Sequence, residues 1–192
     1  MNQGRKFGGY NISDYIWNVN TFEMPISDTY KYRSENVAFY IAAICNSERY
    51  VINITKIQKL LYIVYGVYLR AFGDRLTDEH PQAWPYGPVF PRTRKRLLKC
   101  ELSEITKNNI GDIIKTNTED IKKIENDKRL NMVIEFVLGR YGKWNAGQLS
   151  TWSHQPGSPW DKTVNSDGFI WGERISDNFI IEYFKKLVTV NE

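Results

Sequence analysis

The chain has 192 residues, of which 42% are hydrophobic; this is enough for the core of one domain and short for two. Its net charge of +4 comes from interspersed charged residues, so contact with nucleic acid is permitted but not required. Two cysteines exclude a disulfide framework, the N-terminus lacks the apolar segment of a signal peptide, and no run reaches the roughly 18 apolar residues of a membrane span. We therefore expect a cytoplasmic protein with reduced thiols and no membrane partner.

Residues 1–33 show no sustained periodicity and mix small polar residues with scattered aromatic ones. This pattern predicts an irregular N-terminal arm that docks through its aromatic side chains. Three of them, Tyr10, Tyr15 and Trp17, are candidate contacts to a partner. Residues 34–190 then form a single domain.

The next two segments predict helices. Ser34 is predicted to cap the first, whose apolar residues keep helical spacing to about Ser47. Thr55 and Gln58 have the spacing of a capping box and predict the start of the second. Two adjoining apolar stripes follow, so the second helix should be buried on most of its circumference and form the centre of the fold. Gly73 predicts its C-terminal cap.

Shorter helices are predicted in the rest of the chain. Pro91 suits the first turn of one helix, and another is expected at Ile110–Ile114. Residues 118–142 predict one helix or a broken pair, residues 145–152 a short helix, and Asp177 is predicted to cap a final one. The predicted fold class is mainly α, a compact single-domain helical bundle with long aromatic and proline-rich connections.

The segment from Ala83 to Pro91, AWPYGPVFP, places three prolines and three aromatic residues within nine positions. Because proline fixes φ and lacks an N–H donor, the segment cannot be helix interior or central strand. Its aromatic content is too high for an ordinary solvated loop, so it is either buried as a wedge or displayed as a binding surface. A second aromatic turn lies at residues 149–160, and we expect the two turns to pack together beside the central helix or to line one groove.

A basic run follows the first aromatic turn and contains Arg92, Arg94, Lys95, Arg96 and Lys99. On a helix, Arg92, Arg96 and Lys99 share one face, which could bind phosphates or an acidic patch on a partner. The alternative is an ordinary solvated helix surface. Both interpretations stay open at this point.

No constellation of catalytic or metal-binding residues is visible in the sequence. His80 and His154 are the two histidines, and neither has ligand spacing with the two cysteines. The Asp78-Glu79-His80 triplet is more simply a solvated loop than a metal site. Without a nucleophile elbow or a phosphate-binding loop, we predict a protein that is not an enzyme and has no cofactor.

Together these segments resemble the Panacea domain, also called the SocA-like antitoxin domain, of bacterial and phage proteins. Residues 56–62 are similar to its K-L-x-K-L-L-Y helix start, residues 83–91 to A-W-x-Y-G-P-V-x-P, and residues 149–160 to L-S-x-x-T-H…P-W, with Ser153 where Thr is usual. Thr77 and Asp78 stand where the family usually has Phe and Asp. The residues that match the motifs are Lys56, Leu60, Tyr62, Trp84, Tyr86, Gly87, Pro88, Val89, Pro91, Trp152, His154, Pro159 and Trp160.

The resemblance implies an antitoxin that binds a cognate toxin and neutralises it, and one member of the family resembles a proteolytic adaptor for a ClpXP-type protease. The alternative is a nucleic-acid-binding regulator that represses its own operon at operator DNA through the basic helix after Pro91. Because the signature is shared among members with different toxins, Trp84 and Tyr86 are expected to be mostly structural, held against Trp152 and Trp160. Specificity is then expected in the N-terminal arm and the basic helix.

Overall fold

The computed structural model describes residues 29–116 and 118–188, which form one mainly α-helical domain, as predicted. The candidate contacts Tyr10, Tyr15 and Trp17 lie outside these residues. The helices within the described ranges are α1 (Ser34–Ser47), α2 (Ile54–Phe72), α3 (Pro91–Leu97), α4 (Ile110–Ile114), α5 (Thr118–Asn126), α6 (Lys128–Tyr141), α7 (Ala146–Ser153), α8 (Pro159–Val164) and α9 (Asp177–Val188), with a 3₁₀ turn at Leu102–Glu104.

Two small sheets accompany the helices in the described part of the chain. Strand β1 (Tyr30–Tyr32) pairs in parallel with β2 (Arg75–Thr77). Strand β3 (Gln82–Trp84) pairs antiparallel with β4 (Gly87–Val89). All four strands have only three residues, too few for an alternating pattern to reveal them in the sequence.

Helix α2 is the centre of the fold, as its two apolar stripes predict. Every residue from Lys56 to Leu69 is buried, and the helix packs against α1, α6, α7 and α9. Gly73 ends the helix in the left-handed region, with φ of 71°, and its N–H donates to Leu69 O. The predicted C-terminal cap is therefore confirmed.

The start of α2 differs from the prediction. Asn53 is the N-cap, and its side chain accepts a hydrogen bond from the N–H of Lys56 at 2.9 Å. The predicted capping box of Thr55 and Gln58 is wrong, because the helix already begins at Ile54. Gln58 instead points into the interior, where it is 2% exposed.

Two helix starts are capped by the loop that follows β2. Asp78 Oδ1 accepts the N–H of Ser34 at 2.9 Å, at the beginning of α1. Glu79 Oε2 accepts the N–H of Thr93 at 3.1 Å, in the first turn of α3. The predicted Ser34 cap is wrong, because Arg33 occupies the N-cap position and Ser34 is the first helical residue. The loop interpreted as merely solvated thus joins the N-termini of α1 and α3.

The later helices follow the prediction with two differences: α8 was not predicted, and Asp177 is the first residue of α9 and not its cap. Helices α5 and α6 are the broken pair, and Asp127 caps α6 by accepting backbone N–H groups of its first turn. Asp177 is the first residue of α9, but its carboxylate accepts hydrogen bonds from Tyr65 Oη and Arg75 Nε, both at 2.9 Å. It ties α9 to α2 and β2.

Helices α2 and α9 pack closely at Gly66. A Cβ atom at this position would lie 2.4, 2.5 and 2.6 Å from three atoms of the Phe184 ring. That ring is fully buried, so it has little room to move away. The contact therefore depends on the absence of a side chain at Gly66.

We expect Gly66→Ala to lower the free energy of unfolding by about 1–3 kcal/mol, because the added methyl group overpacks the core. Urea unfolding followed by tryptophan fluorescence measures the change. Gly139→Ala in α6 is the matched control, since nothing lies within 4 Å of a Cβ at that position. The control should be neutral or stabilising by up to about 1 kcal/mol; equal effects of the two substitutions would contradict the packing argument.

Candidate functional site

The segment AWPYGPVFP folds into the β3–β4 hairpin, with Pro85 and Tyr86 at its turn. The other edge of β3 is also paired, because Ala83 N–H donates to Glu173 O at 2.8 Å and Gly172 N–H donates to Ala83 O at 2.9 Å. Residues 169–175, which we call the strap, therefore hold the hairpin from one side before α9 begins. This pairing fixes the direction in which the turn projects.

The base of the hairpin rests on two polar side chains of α2. Lys59, which is 1% exposed, donates from Nζ to Pro88 O at 2.9 Å. Gln58 Oε1 accepts the N–H of Phe90 at 2.7 Å. Burial lowers the pKa of Lys59 to about 7, because the charged ammonium loses hydration.

Gly87 allows the hairpin to approach this lysine. Its φ is +94°, and a Cβ there would lie 2.8 Å from Lys59 Nζ and 2.7 Å from Ser153 Oγ. A side chain at this position would meet both a strained backbone and two polar atoms. The glycine of the signature is thus required by the packing of β4 on α2 and α7.

The second aromatic turn packs on the first through Trp160. Its indole Nε1–H donates to Trp84 O at 2.8 Å, and its ring meets the His154 ring edge-on, with centroids 4.1 Å apart. Burial, reinforced by the positive charge of Lys59, lowers the pKa of His154. The expected contact between the two turns is confirmed for Trp160, whereas the Trp152 ring packs in the core near Tyr141.

Six large apolar side chains belong to the hairpin, to the second aromatic turn that packs on it and to the strap paired with it. We call them the aromatic surface: Trp84, Tyr86, Trp160, Phe169, Ile170 and Trp171. Trp171 links the strap to the rest, with its ring centroid 6.4 Å from that of Trp160 and 5.0 Å from that of Phe169. Tyr86, Ile170 and Trp171 are 79%, 73% and 55% exposed. The surface is therefore displayed on a rigid support and is not a buried wedge.

The prediction that Tyr86 is mostly structural is wrong, because the turn points its ring into solvent. Trp84 is half-buried, and its indole Nε1–H donates to Gln82 Oε1 at 3.2 Å. Sequence reasoning missed the residues of the strap. The sequence did contain a signal for the strap, because two bulky aromatic residues lie between Gly168 and Gly172. Both glycines adopt positive φ in the structure, +73° and +94°.

The basic helix α3 does not present a single free cationic face, which was one of the two interpretations that the sequence left open. Arg92 donates to Asp78 and lies 3.5 Å from a Glu35 carboxylate oxygen, so it joins α3 to α1. Its interactions with these acids raise the pKa of Arg92, although burial opposes the increase. The guanidinium of Arg94 lies 5.8 Å from the centroid of the Trp84 ring. Lys95 and Lys99 are exposed, and Arg96 is half-buried.

The remaining motif residues lie in the core or at helix starts. Lys56 donates to Val51 O at 2.9 Å and Gly142 O at 2.7 Å, and thereby joins α2 to the end of α6. The Tyr62 ring contacts Phe184 edge-on, with centroids 5.6 Å apart. Buried motif residues also include Leu60, Pro88 and Val89, while Pro91 and Pro159 occupy the first turns of α3 and α8.

Within residues 29–116 and 118–188, no group of three or more metal-ligating side chains is positioned to bind a metal ion. The Asp78-Glu79-His80 triplet is divided, since the two acids cap helices and His80 Nδ1 lies 3.4 Å from Tyr65 Oη. Over the same described part of the chain, no helix has the length and hydropathy needed to cross a membrane.

Lys59 should make stability depend on pH. Its pKa is about 7 in the folded protein and 10.5 in the unfolded chain, so the unfolded chain binds more protons between these values. Stability is then highest above the unfolded pKa and is lost as the pH falls toward 7. We expect the free energy of unfolding to rise from about pH 7 to about pH 9, by up to about 1.4 kcal/mol per pH unit, relative to Lys59→Met. Urea unfolding of the unaltered protein and of Lys59→Met across this range measures the two free energies. Parallel pH profiles of the two proteins would refute the lowered pKa of Lys59.

Comparison with known proteins places these features in a family. The model described as "Antitoxin SocA-like, Panacea domain" matches residues 57–161. Antitoxin SocA of Caulobacter vibrioides (strain NA1000 / CB15N) is 32% identical over 131 residues, covering 67% of this chain and 70% of that protein. No solved structure matches. The family match includes most of α2, the hairpin and Trp160, and the chain therefore belongs to the SocA-like antitoxin family defined by the Panacea domain.

Proposed function

We propose that this protein neutralises a cognate toxin by binding it directly through the aromatic surface. Homology to an antitoxin supports the general role. The observation that carries the proposal is the exposure of Tyr86, Ile170 and Trp171 on one rigidly supported region. Exposed aromatic side chains are the usual anchors of protein interfaces, whereas a solvated surface has no need of them.

The support beneath the surface favours tight binding. The hairpin is anchored from below by Lys59 and from the side by the strap at Glu173. Since these contacts exist before a partner arrives, binding costs little ordering of the backbone. Each large aromatic side chain that becomes buried then contributes about 2–3 kcal/mol of transfer free energy.

The chemistry of the surface fits a protein partner with an apolar patch. The cation of Arg94 lies over Trp84, and Glu173 lies exposed in the strap, so both signs of charge border the aromatic residues. Such a border gives little long-range steering toward a strongly charged toxin. We infer that apolar contact supplies most of the affinity.

We expect Tyr86→Ala and Trp171→Ala each to weaken toxin binding by about tenfold or more, because each removes an exposed anchor. Calorimetric titration with the purified product of the adjacent reading frame measures the affinity, and growth rescue on co-expression gives the cellular readout. Val51→Ala and Leu98→Ala are matched controls, since these apolar residues are 88% and 54% exposed elsewhere. Unchanged affinity in the Tyr86 and Trp171 variants, or a harmless neighbouring product that does not bind, would rule out this proposal.

Delivery of the toxin to a ClpXP-type protease is a second mode within the same proposal. Direct inhibition leaves the half-life of the toxin unchanged, whereas delivery shortens it only when both the antitoxin and the protease are present. A reconstituted degradation assay with and without this protein separates the two modes.

Operon repression through α3 is the alternative function, and the geometry favours it less. Arg92 is engaged with Asp78 and Glu35, and Arg94 lies over Trp84. Two of the arginines proposed to contact DNA are therefore already engaged in intramolecular contacts. Salt-dependent binding to the promoter that is lost when Arg92, Arg94 and Arg96 lose their charge would support the alternative.

A further inference from the structure

We propose that a cationic cleft between β1 and the junction of α5 and α6 binds the phosphates of a nucleic-acid backbone. The cleft has a volume of about 560 Å³ and is shallow and open to solvent. Its cations are Lys31, Lys123, Lys128 and Arg129, which come from three separate elements. None of these residues belongs to the aromatic surface or to α3, so the inference is independent of toxin binding.

The acid that lines the cleft is turned inward. Asp127 accepts hydrogen bonds from the N–H groups of Arg129 and Leu130 and from Tyr32 Oη, and its side chain is 11% exposed. It also forms an ion pair with Lys31 at 3.5 Å, so its charge is engaged within the protein. In contrast, the side chains of Lys31 and Lys123 are 37% and 68% exposed. A ligand entering the cleft therefore meets positive charge first.

Lys123 has a competing partner on its own helix. It forms an ion pair with Asp120 at 3.2 Å, but both side chains are largely exposed. Pairs of this kind contribute little free energy and exchange readily for a stronger anion. The pair does not block the cleft.

Two of the cations are held in position by aromatic rings at the end of α2. Lys31 Nζ lies 5.6 Å from the Tyr68 ring centroid, and the Arg129 guanidinium lies 5.1 Å from that of Phe72. The two rings are 4.7 Å apart. Cations from β1 and α6 are thus placed side by side before any ligand binds, which reduces the entropy lost on binding.

The arrangement fits a polymer of phosphates better than an enclosed nucleotide. The cleft is open, and its aromatic lining residue, Tyr32, is half-buried and donates its hydroxyl to Asp127 at 2.8 Å. Its ring is therefore held at the wall of the cleft and is only partly accessible to a base. Lysine and arginine side chains spread over an open surface are typical of backbone contact that does not depend on sequence.

The test is fluorescence anisotropy of the full chain with a labelled DNA duplex of mixed sequence, between about 50 and 200 mM salt. The variant carries Lys31→Gln, Lys123→Gln and Lys128→Gln. Arg129 is left unchanged, because its guanidinium packs over the Phe72 ring. We expect about tenfold weaker binding or more at low salt. The slope of log affinity against log salt should fall by about 3, since each phosphate contact contributes roughly 0.9.

The control variant removes equal charge elsewhere through Lys107→Gln, Lys143→Gln and Lys186→Gln, which are exposed lysines outside both the cleft and α3. Its affinity should change by less than about threefold. Three results would each overturn the proposal. They are an equal loss of affinity in the control, no binding of the duplex by the unaltered chain, and displacement of the duplex by poly-glutamate as readily as by unlabelled duplex. If the triple variant fails to fold, Lys123→Gln alone should lower the slope by about 1, and an unchanged slope would count against the cleft.

Discussion

The fold depends on one constraint: helix α2 is buried on all sides although its first turns carry Lys56, Gln58 and Lys59. A buried polar group without a partner costs more free energy than a typical hydrogen bond contributes, so each of these side chains must find an acceptor or donor. Backbone groups supply a partner for each of them, although Gln58 Nε2 has none within the described residues. Lys56 binds Gly142 O, Gln58 binds the N–H of Phe90, and Lys59 binds Pro88 O. These hydrogen bonds therefore fix the positions of the end of α6 and of the β3–β4 hairpin relative to α2.

This constraint explains how an exposed turn can be rigid. The hairpin has only six strand residues and could not be stable alone. Its base is anchored by Lys59, its outer edge pairs with the strap at Glu173, and its flank is joined to Trp160 by the bond to Trp84 O. The turn between these anchors then holds Tyr86 in solvent without requiring contacts of its own.

Sequence patterns predicted the parts of the structure that are set locally. The two apolar stripes of α2, its end at Gly73 and the short helix at Ile110–Ile114 each depend on neighbouring residues alone. Features set by distant residues were not predictable. Asp78 caps a helix that begins 44 positions earlier, and Ala83 pairs with Glu173, which lies much further along the chain. Composition showed that the segment at Tyr86 is special but carried no information about which of its side chains would face solvent.

The signature segment therefore contains two physically different kinds of residue. Gly87 and Pro88 are buried against Lys59, so a change in either acts on partner binding only by displacing the hairpin. Tyr86 lies between the same two strands, yet a change in its exposed ring removes contact area and leaves the support intact. A loss of function in this segment thus has two possible causes, which differ in their effect on the free energy of unfolding. Only residues whose substitution leaves that free energy unchanged can be assigned to the interface itself.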